Sequence, residues 1–202
     1  MNFNQQFTLL IRARYPLIYI PTTEEERLEN TIINCAKTLG DRTVYIWDFV
    51  DGYQGNPNDL GLAKRNPLQA LEFLEKLSLN EPAIIILRDF HRFLDDISIA
   101  RKLRNIARLL KSQPKNIIIV APNITIPNDL SEVLTVLEFP LPNTLEIKLE
   151  IEGILKNIGQ TLSKTILDEL VRSCQGLSLE RIKKVLAMAL AENGEITEED
   201  IE

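Results

Sequence analysis

Metal-binding and redox-active residues are scarce in this chain of 202 residues. It has a single histidine, His91, and two cysteines, Cys35 and Cys174, which lie far apart and each fall within an apolar helical pattern. The usual zinc ligand sets need more histidine or cysteine than this, which excludes such a site. We expect two buried thiols, a reducing compartment and no bound metal.

Long apolar runs and an excess of positive charge are also missing. No stretch approaches the roughly 20 apolar residues of a membrane span, and the first residues lack the order of a signal peptide. The formal net charge is -6 and the pI is near 5.0, which argues against a general nucleic-acid binder but leaves room for a local basic face. We expect a soluble protein of the cytosol or its organelle equivalent, without membrane insertion and with nucleic acid as an unlikely partner.

Strand-like and helix-like patterns alternate along the first part of the chain. The predicted strands are short apolar runs at Tyr15–Ile20, Thr43–Phe49, Ala83–Leu87 and Asn116–Val120, with one more expected within Val133–Phe139. Apolar residues at helical spacing separate these runs. The alternation predicts an α/β fold in which a parallel sheet of about five strands has helices on both faces.

The pattern changes near Pro142. The rest of the chain has no strand-like run and contains three helical patterns, at Leu145–Ile158, Ser163–Cys174 and Leu179–Asn193. We therefore predict an α/β domain over residues 1–143 and a small helical, lid-like subdomain over residues 144–202. A capping pattern from Thr197 to Asp200 opens another helix where the chain stops, so we expect a part of a longer protein.

The turn after the first strand has the wrong composition for a phosphate-binding loop. Such a loop needs glycines whose N–H groups wrap the phosphates, a lysine, and a Ser or Thr for magnesium. The residues at this place include no glycine and no lysine; they are Pro21, Thr22, Thr23, Glu24, Glu25 and Glu26. Three carboxylates would repel a triphosphate, each uncompensated pair costing on the order of 1 kcal/mol. Thr23 and Glu26 instead fit a capping box at a helix start.

The order of elements resembles an AAA+ ATPase module with its helical lid. The segment APNITIP is similar to the strand end whose asparagine, here Asn123, acts as sensor 1, and LEFPLPNTLEI resembles the stretch that leads into the lid. The pieces IYIPTTEEERLE, VYIWDFVDGYQ and ILRDFHRFL resemble the N-terminal half of the AAA+ ATPase-like family called hypothetical chloroplast reading frame 46, of algal plastids and cyanobacteria.

The resemblance implies several properties of a longer protein. ATP and magnesium are expected only in a conventional AAA+ module further along, so this chain itself is expected to bind no cofactor. The plastid stroma or the cyanobacterial cytoplasm is the implied location. The implied process is regulation of photosynthesis and inorganic-carbon uptake.

The strand PAIIILRD ends in residues that oppose AAA+ chemistry. The family pattern places Asp and then Glu there, to bind magnesium and orient water, whereas this chain has Arg88 and Asp89. A cation at the first place opposes magnesium, so we assign no catalytic residue and interpret Arg88 and Asp89 as a pair near the sheet edge. His91 lacks a plausible nucleophile and is interpreted as a surface or capping histidine. Asn123 is interpreted as a turn residue.

Two further features are candidates for contacts with partners. The helix predicted over Asp96–Lys111 carries its cations away from its apolar stripe, as either a solvated face or a docking face for an acidic surface; they are Arg101, Lys102, Arg104, Arg108 and Lys111. The loop Asp51–Leu62 holds Tyr53 where AAA+ proteins carry a substrate-gripping aromatic, the alternative being a plain loop.

The leading hypothesis is a non-catalytic AAA+-like domain for scaffolding, oligomerisation or partner binding, with protein partners or copies of itself. The first alternative is a divergent nucleotide-binding ATPase domain or sensor, because open α/β sheets bind ligands at the carboxyl ends of their strands. That alternative requires free backbone donors over residues 21–26. The weaker alternative is a nucleic-acid accessory module that uses the basic helix.

Overall fold

The computed structural model describes residues 1–54 and 60–197, and a six-stranded sheet forms the centre of its first part. The strands are β1 (Leu17–Pro21), β2 (Thr43–Asp48), β3 (Gly52–Tyr53), β4 (Ala83–Arg88), β5 (Lys115–Ala121) and β6 (Leu134–Val136). Their order across the sheet is β3-β2-β4-β5-β1-β6. All neighbouring strands run parallel except β2 and β3.

The predicted α/β class is confirmed, and the sheet has one strand more than the sequence indicates. The extra strand is β3, whose two residues pair antiparallel with the end of β2. Two residues are too few to show the period of two by which a strand is recognised in a sequence.

Both faces of the sheet are buried, which explains the apolar runs in its strands. Successive side chains of a strand point to opposite faces. Ile85 and Leu87 of β4 accordingly belong to the core on one face, and Ile84 and Ile86 to the core on the other. Strands covered on both sides read as continuous apolar runs rather than as alternating patterns.

Four helices cover the sheet. They are α1 (Phe3–Arg12), α2 (Glu25–Thr38), α3 (Pro67–Lys76) and α4 (Ile97–Leu110). The apolar faces of α3 and α4 pack on one side of the sheet and those of α1 and α2 on the other. Cys35, on α2, is a buried free thiol, as predicted.

The chain divides into two compact units between Phe139 and Pro140. The second unit contains α5 (Thr144–Ile158), α6 (Lys164–Ser173) and α7 (Leu179–Asn193) around a core of its own. Asn143 starts α5 through a capping box with Glu146. The predicted capping pattern runs from Thr197 to Asp200, and its residues after Thr197 lie outside the described residues. Within those residues, none of the helices combines the length and apolar content that crossing a membrane requires.

Candidate functional site at the carboxyl edge of the sheet

Three neighbouring parallel strands end together and define the crevice where an α/β domain binds its ligands. Pro21 of β1 pairs with Ala121 of β5, and Arg88 of β4 pairs with Val120 of β5. The turn into α2 leaves this edge from β1. The residues predicted to form a degenerate phosphate site are therefore all placed at one edge.

Arg88, at the end of β4, makes two hydrogen bonds to the carboxylate of Glu29 on α2. Its Nε lies 2.6 Å from Oε1 of Glu29 and its Nη2 lies 2.7 Å from Oε2 of the same carboxylate. Glu25 and Asp48 follow at 3.8 Å and 4.0 Å. This fork geometry is the strong form of the Arg–carboxylate contact, and it joins β4, α2 and β2 in one charge network.

The predicted pairing of Arg88 with Asp89 is wrong. Asp89 has a left-handed backbone, with φ of 54°, and its side chain is 61% exposed. The left-handed residue turns the chain out of β4, while Arg88 reaches across to α2. Glu29 was missed in the sequence because it lies 59 residues from Arg88; the only signal is a glutamate beside the buried Leu28.

Two backbone donors of the turn from β1 into α2 are bonded within the protein, while the side chain of the N-cap residue makes no capping bond to a backbone N–H of the helix. The N–H of Thr22 donates to the carbonyl oxygen of Ala121 at 2.7 Å, and the N–H of Glu24 donates to Oγ1 of Thr22 at 3.0 Å. The predicted capping box of Thr23 with Glu26 is wrong, because α2 begins at Glu25 and its N-cap is Glu24. Glu24 is buried and lies 2.7 Å from Nη2 of Arg27.

Electrostatics at this edge disfavour both a triphosphate and its magnesium ion. Burial raises the pKa of Glu25, and the nearby charge of Asp89 raises that pKa further, against the lowering effect of Arg88. The bonds to Glu29 raise the pKa of Arg88 despite its partial burial. A triphosphate would meet surplus carboxylates, and a magnesium ion at the end of β4 would meet a guanidinium. Among the described residues, no group of three or more His, Cys, Asp or Glu side chains is placed to hold a metal ion.

His91 is buried, which corrects its interpretation as a surface or capping histidine. It lies in a short 3-10 helix, Phe90–Phe93, and is 6% exposed because the chain folds back over the sheet edge after Asp89. Its Nδ1 lies 3.8 Å from Oδ1 of Asp89 and has no hydrogen-bond partner among the described residues. Burial lowers the pKa of the imidazole, against the raising effect of Asp89.

The sensor-like Asn123 follows β5 directly. Its carbonyl oxygen accepts a bond of 2.6 Å from the hydroxyl of Tyr19, whose oxygen in turn accepts from the N–H of Thr125 at 3.3 Å. A cavity of about 250 Å³ lies next to this turn, lined by His91, Arg92, Asp95, Asn123 and Thr125. The lining has no cysteine or serine nucleophile, and its one hydroxyl belongs to Thr125.

Tyr53 is not a substrate-gripping aromatic. Its ring is 6% exposed, it packs against Phe73, and its hydroxyl donates to the carbonyl oxygen of Ala70 at 2.7 Å. The pairing of β3 with β2 turns this side chain into the core. Residues 55–59 of the predicted loop lie outside the described residues.

The predicted basic helix is α4. Lys102 pairs with Glu75 at 2.7 Å, and Nη2 of Arg104 lies 3.8 Å from Asp129. Arg101, Arg108 and Lys111 are exposed.

Comparison with known sequences assigns this chain to a family. The model of the N-terminal domain of SpoVK-like AAA ATPases matches residues 3–139, and the model of their second domain matches residues 145–202. The AAA domain-containing protein ycf46 of Guillardia theta is 50% identical over 202 residues, and that of Trieres chinensis is 49% identical over 201. Each comparison covers 100% of this chain and 40% of the relative, so the chain spans about 40% of the length of these relatives.

Solved structures support the fold. A chain of the E. coli MS115-1 HORMA:CdnC:Trip13 complex is similar with a TM-score of 0.62 at 13% identity, covering 98% of this chain and 75% of that chain. The FIGL-1 AAA domain in complex with ADP is similar with a TM-score of 0.58 at 13% identity, covering 94% and 67%. At such identities the likeness shows a common AAA+ architecture and nothing about activity.

Proposed function

Because the chain belongs to the SpoVK-like AAA ATPase family, we propose that it is a non-catalytic AAA+-like domain of a longer protein, used for scaffolding, oligomerisation or partner binding. The observation that carries this proposal is the bond between Arg88 and Glu29. A guanidinium held at 2.6 Å and 2.7 Å from a carboxylate stands where an ATPase needs a magnesium-binding carboxylate. Hydrolysis by the family mechanism requires that carboxylate and the metal.

The start of α2 supports the same function. The N–H groups of Thr22 and Glu24 are bonded within the protein, and Glu24 lies buried in a contact with Arg27. A divergent nucleotide sensor needs free donors at this turn and room for phosphate charge. The buried carboxylate of Glu24 and the two bonded donors support the non-catalytic domain over that alternative.

We also propose further properties of the longer protein, which the family resemblance of the sequence suggests. We place ATP and magnesium in a conventional AAA+ module beyond this chain, with this domain as its scaffold or partner-binding element. The location is the plastid stroma or the cyanobacterial cytoplasm, and the process is the regulation of photosynthesis and inorganic-carbon uptake.

Titration of the chain with a fluorescent ATP analogue and magnesium, together with a phosphate-release assay, tests the proposal. We expect no saturable binding up to about 1 mM, where binding is worth only about 4 kcal/mol, and no turnover. Asp89→Asn and Asp41→Asn form a matched pair of variants. Both aspartates are exposed and have a left-handed backbone, with φ of 54° and 47°, but Asp41 precedes β2 at the other end of the strands.

Micromolar binding with turnover that Asp89→Asn abolishes and Asp41→Asn preserves would overturn the proposal. Turnover that both variants retain at the wild-type rate would mark a contaminating ATPase. In that case a preparation free of the contaminant is expected to show no turnover.

A further inference from the structure

Positive charge is concentrated on α4 to a degree that the composition of the chain does not suggest. The chain carries a net charge of -6, yet residues 97–111 include five cations and no aspartate or glutamate. Four of the cations are spaced by three, four and three residues, which places them on one face of a helix. We call this set the α4 ridge; its members are Arg101, Arg104, Arg108 and Lys111.

The cations of the α4 ridge differ in whether they bind an acidic residue of the protein itself. Arg104 is held beside Asp129 at 3.8 Å, and its Nε is buried without an acceptor among the described residues. Arg101, Arg108 and Lys111 are exposed and form no ion pair within the part of the chain that the structure describes. The apolar stripe of α4 faces the sheet core, so these three side chains are not needed for packing.

Two further arginines, Arg14 and Arg42, extend the positive charge beyond the α4 ridge, next to the end of α4. Arg14 has a left-handed backbone with φ of 59°, and its Nη1 lies 3.5 Å from the carbonyl oxygen of Lys111. Arg42 lies close by, with Nη1 2.6 Å from the carbonyl oxygen of Pro114. Burial lowers the pKa of Arg42, and repulsion from Arg14 lowers it further. Like charges gathered in this way are stabilised by an anionic partner.

The dimensions and chemistry of the ridge fit a carboxylate-rich helix. Arg101 and Lys111 are separated by about 15 Å along the axis, and ridge cations are about 5–6 Å apart, which is the spacing of carboxylates at i, i+3 and i+4 on a facing helix. Leu109 beside the ridge is 41% exposed and offers an apolar contact. The ridge has no aromatic side chain on which a nucleic-acid base could stack.

We propose that the α4 ridge is the docking surface for an acidic helical segment of a protein partner. The proposal rests on the proposed function as a partner-binding domain and names the chemistry of the partner. Arg101, Arg108 and Lys111 supply the long-range attraction, while Arg104 is already held by Asp129. Rim charges of this kind govern association rate, salt dependence and selectivity for sign.

Peptide binding tests the ridge directly. The probe is an alanine-based helical peptide of about 20 residues with glutamates at i, i+3 and i+4 spacing, and its counterpart has glutamine at the same positions. Fluorescence anisotropy is measured at low and at physiological ionic strength. We expect the glutamate peptide to bind, to weaken with salt, and to bind at least about tenfold more weakly to the triple variant Arg101→Glu, Arg108→Glu, Lys111→Glu.

A second triple variant controls for net charge. Lys37→Glu, Lys156→Glu and Lys164→Glu change exposed lysines of α2, α5 and α6 by the same total charge, and thermal unfolding verifies that both variants fold. If the glutamate peptide bound the two triple variants with equal affinity, the α4 ridge would not be its docking surface. Binding of the glutamine peptide as tight as that of the glutamate peptide would also contradict the proposal. If an equally charged DNA duplex displaced the peptide at the same or a lower concentration, the proposal that the partner is a protein would be wrong. ATP turnover would overturn the non-catalytic function and leave these binding results standing.

Discussion

The two edges of the parallel sheet hold their cations in different ways. At the carboxyl edge Arg88 is bonded to the carboxylate of Glu29, with further carboxylates near it. At the amino edge Lys115 is 1% exposed, and its ammonium donates to Oε1 of Gln113 at 2.7 Å and to the carbonyl oxygen of Leu77 at 3.4 Å. One edge pairs charge with charge, and the other surrounds a charge with neutral acceptors.

This difference distinguishes the edge at which α/β domains bind their ligands from the opposite edge. At the carboxyl edge the guanidinium of Arg88 is bonded to the carboxylate of Glu29. At the amino edge Lys115 is held by two acceptors, the side chain of Gln113 and the backbone of Leu77. The number of ionised partners should decide how each edge responds to loss of its cation.

The largest effect is expected from Arg88→Met. The change leaves the carboxylate of Glu29, which is 9% exposed, without its partner, and breaking a buried pair in this way costs about 3–5 kcal/mol. We expect about 3 kcal/mol, the lower limit, because the side chain of Arg88 is 24% exposed. Urea unfolding followed by the fluorescence of Trp47, the only tryptophan and a buried residue of β2, measures the free energy of the sheet unit.

The double variant Arg88→Met, Glu29→Met is the control for this comparison. Replacing both members of a buried ion pair by apolar residues is often neutral, so the double variant should recover most of the lost stability. A single variant that unfolds at the wild-type urea concentration would contradict a structural role for the pair.

The fold is largely predictable from the sequence because it is encoded locally. The run Ile84–Leu87 is buried on both faces, and a run of this kind followed by charge indicates a central strand. Residues that act across long separations are less predictable. Glu29 reaches Arg88 only after α2 has packed on the sheet, and Tyr53 becomes a core residue only when β3 pairs with β2.

A smaller effect is expected from Lys115→Met at the amino edge. The variant loses the donor to Gln113 but also removes a buried ammonium whose desolvation opposes folding, so we expect a net cost of about 1 kcal/mol or less at pH 7. Burial lowers the pKa of Lys115 in the folded state. Between that value and the ordinary 10.5 the unfolded chain binds more protons, so this group adds stability as pH rises through the window.

The same urea titration at pH 7 and pH 9.5 measures this contribution. Wild type should gain stability relative to Lys115→Met as pH rises. A cost of Lys115→Met that equals the cost of Arg88→Met would show that the two edges respond alike and would remove the distinction between them.

An effect confined to acidic pH is expected from the single histidine. Burial lowers the pKa of His91 below 6.5, so between the folded pKa and 6.5 the unfolded chain binds the proton that the folded chain rejects. Stability is therefore lost as pH falls through that window, by at most about 1.4 kcal/mol per pH unit for one proton. His91→Gln should abolish this part of the acid sensitivity and leave the dependence above pH 7 unchanged, as measured by urea unfolding from pH 7.5 to 5.

The variant Asp89→Asn, also at the carboxyl edge, should increase the acid sensitivity that His91→Gln removes. Asp89 raises the pKa of His91 through a separation of 3.8 Å, so its neutralisation should lower that pKa further and widen the window in which acid destabilises the protein. The effect should be small, because Asp89 is 61% exposed and water screens its charge. The double variant Asp89→Asn, His91→Gln should match His91→Gln alone over pH 5.5–7.5. Extra acid sensitivity in the double variant would assign the pH response to another carboxylate of the edge, with Glu25 as the first candidate because burial and its acidic neighbours raise its pKa.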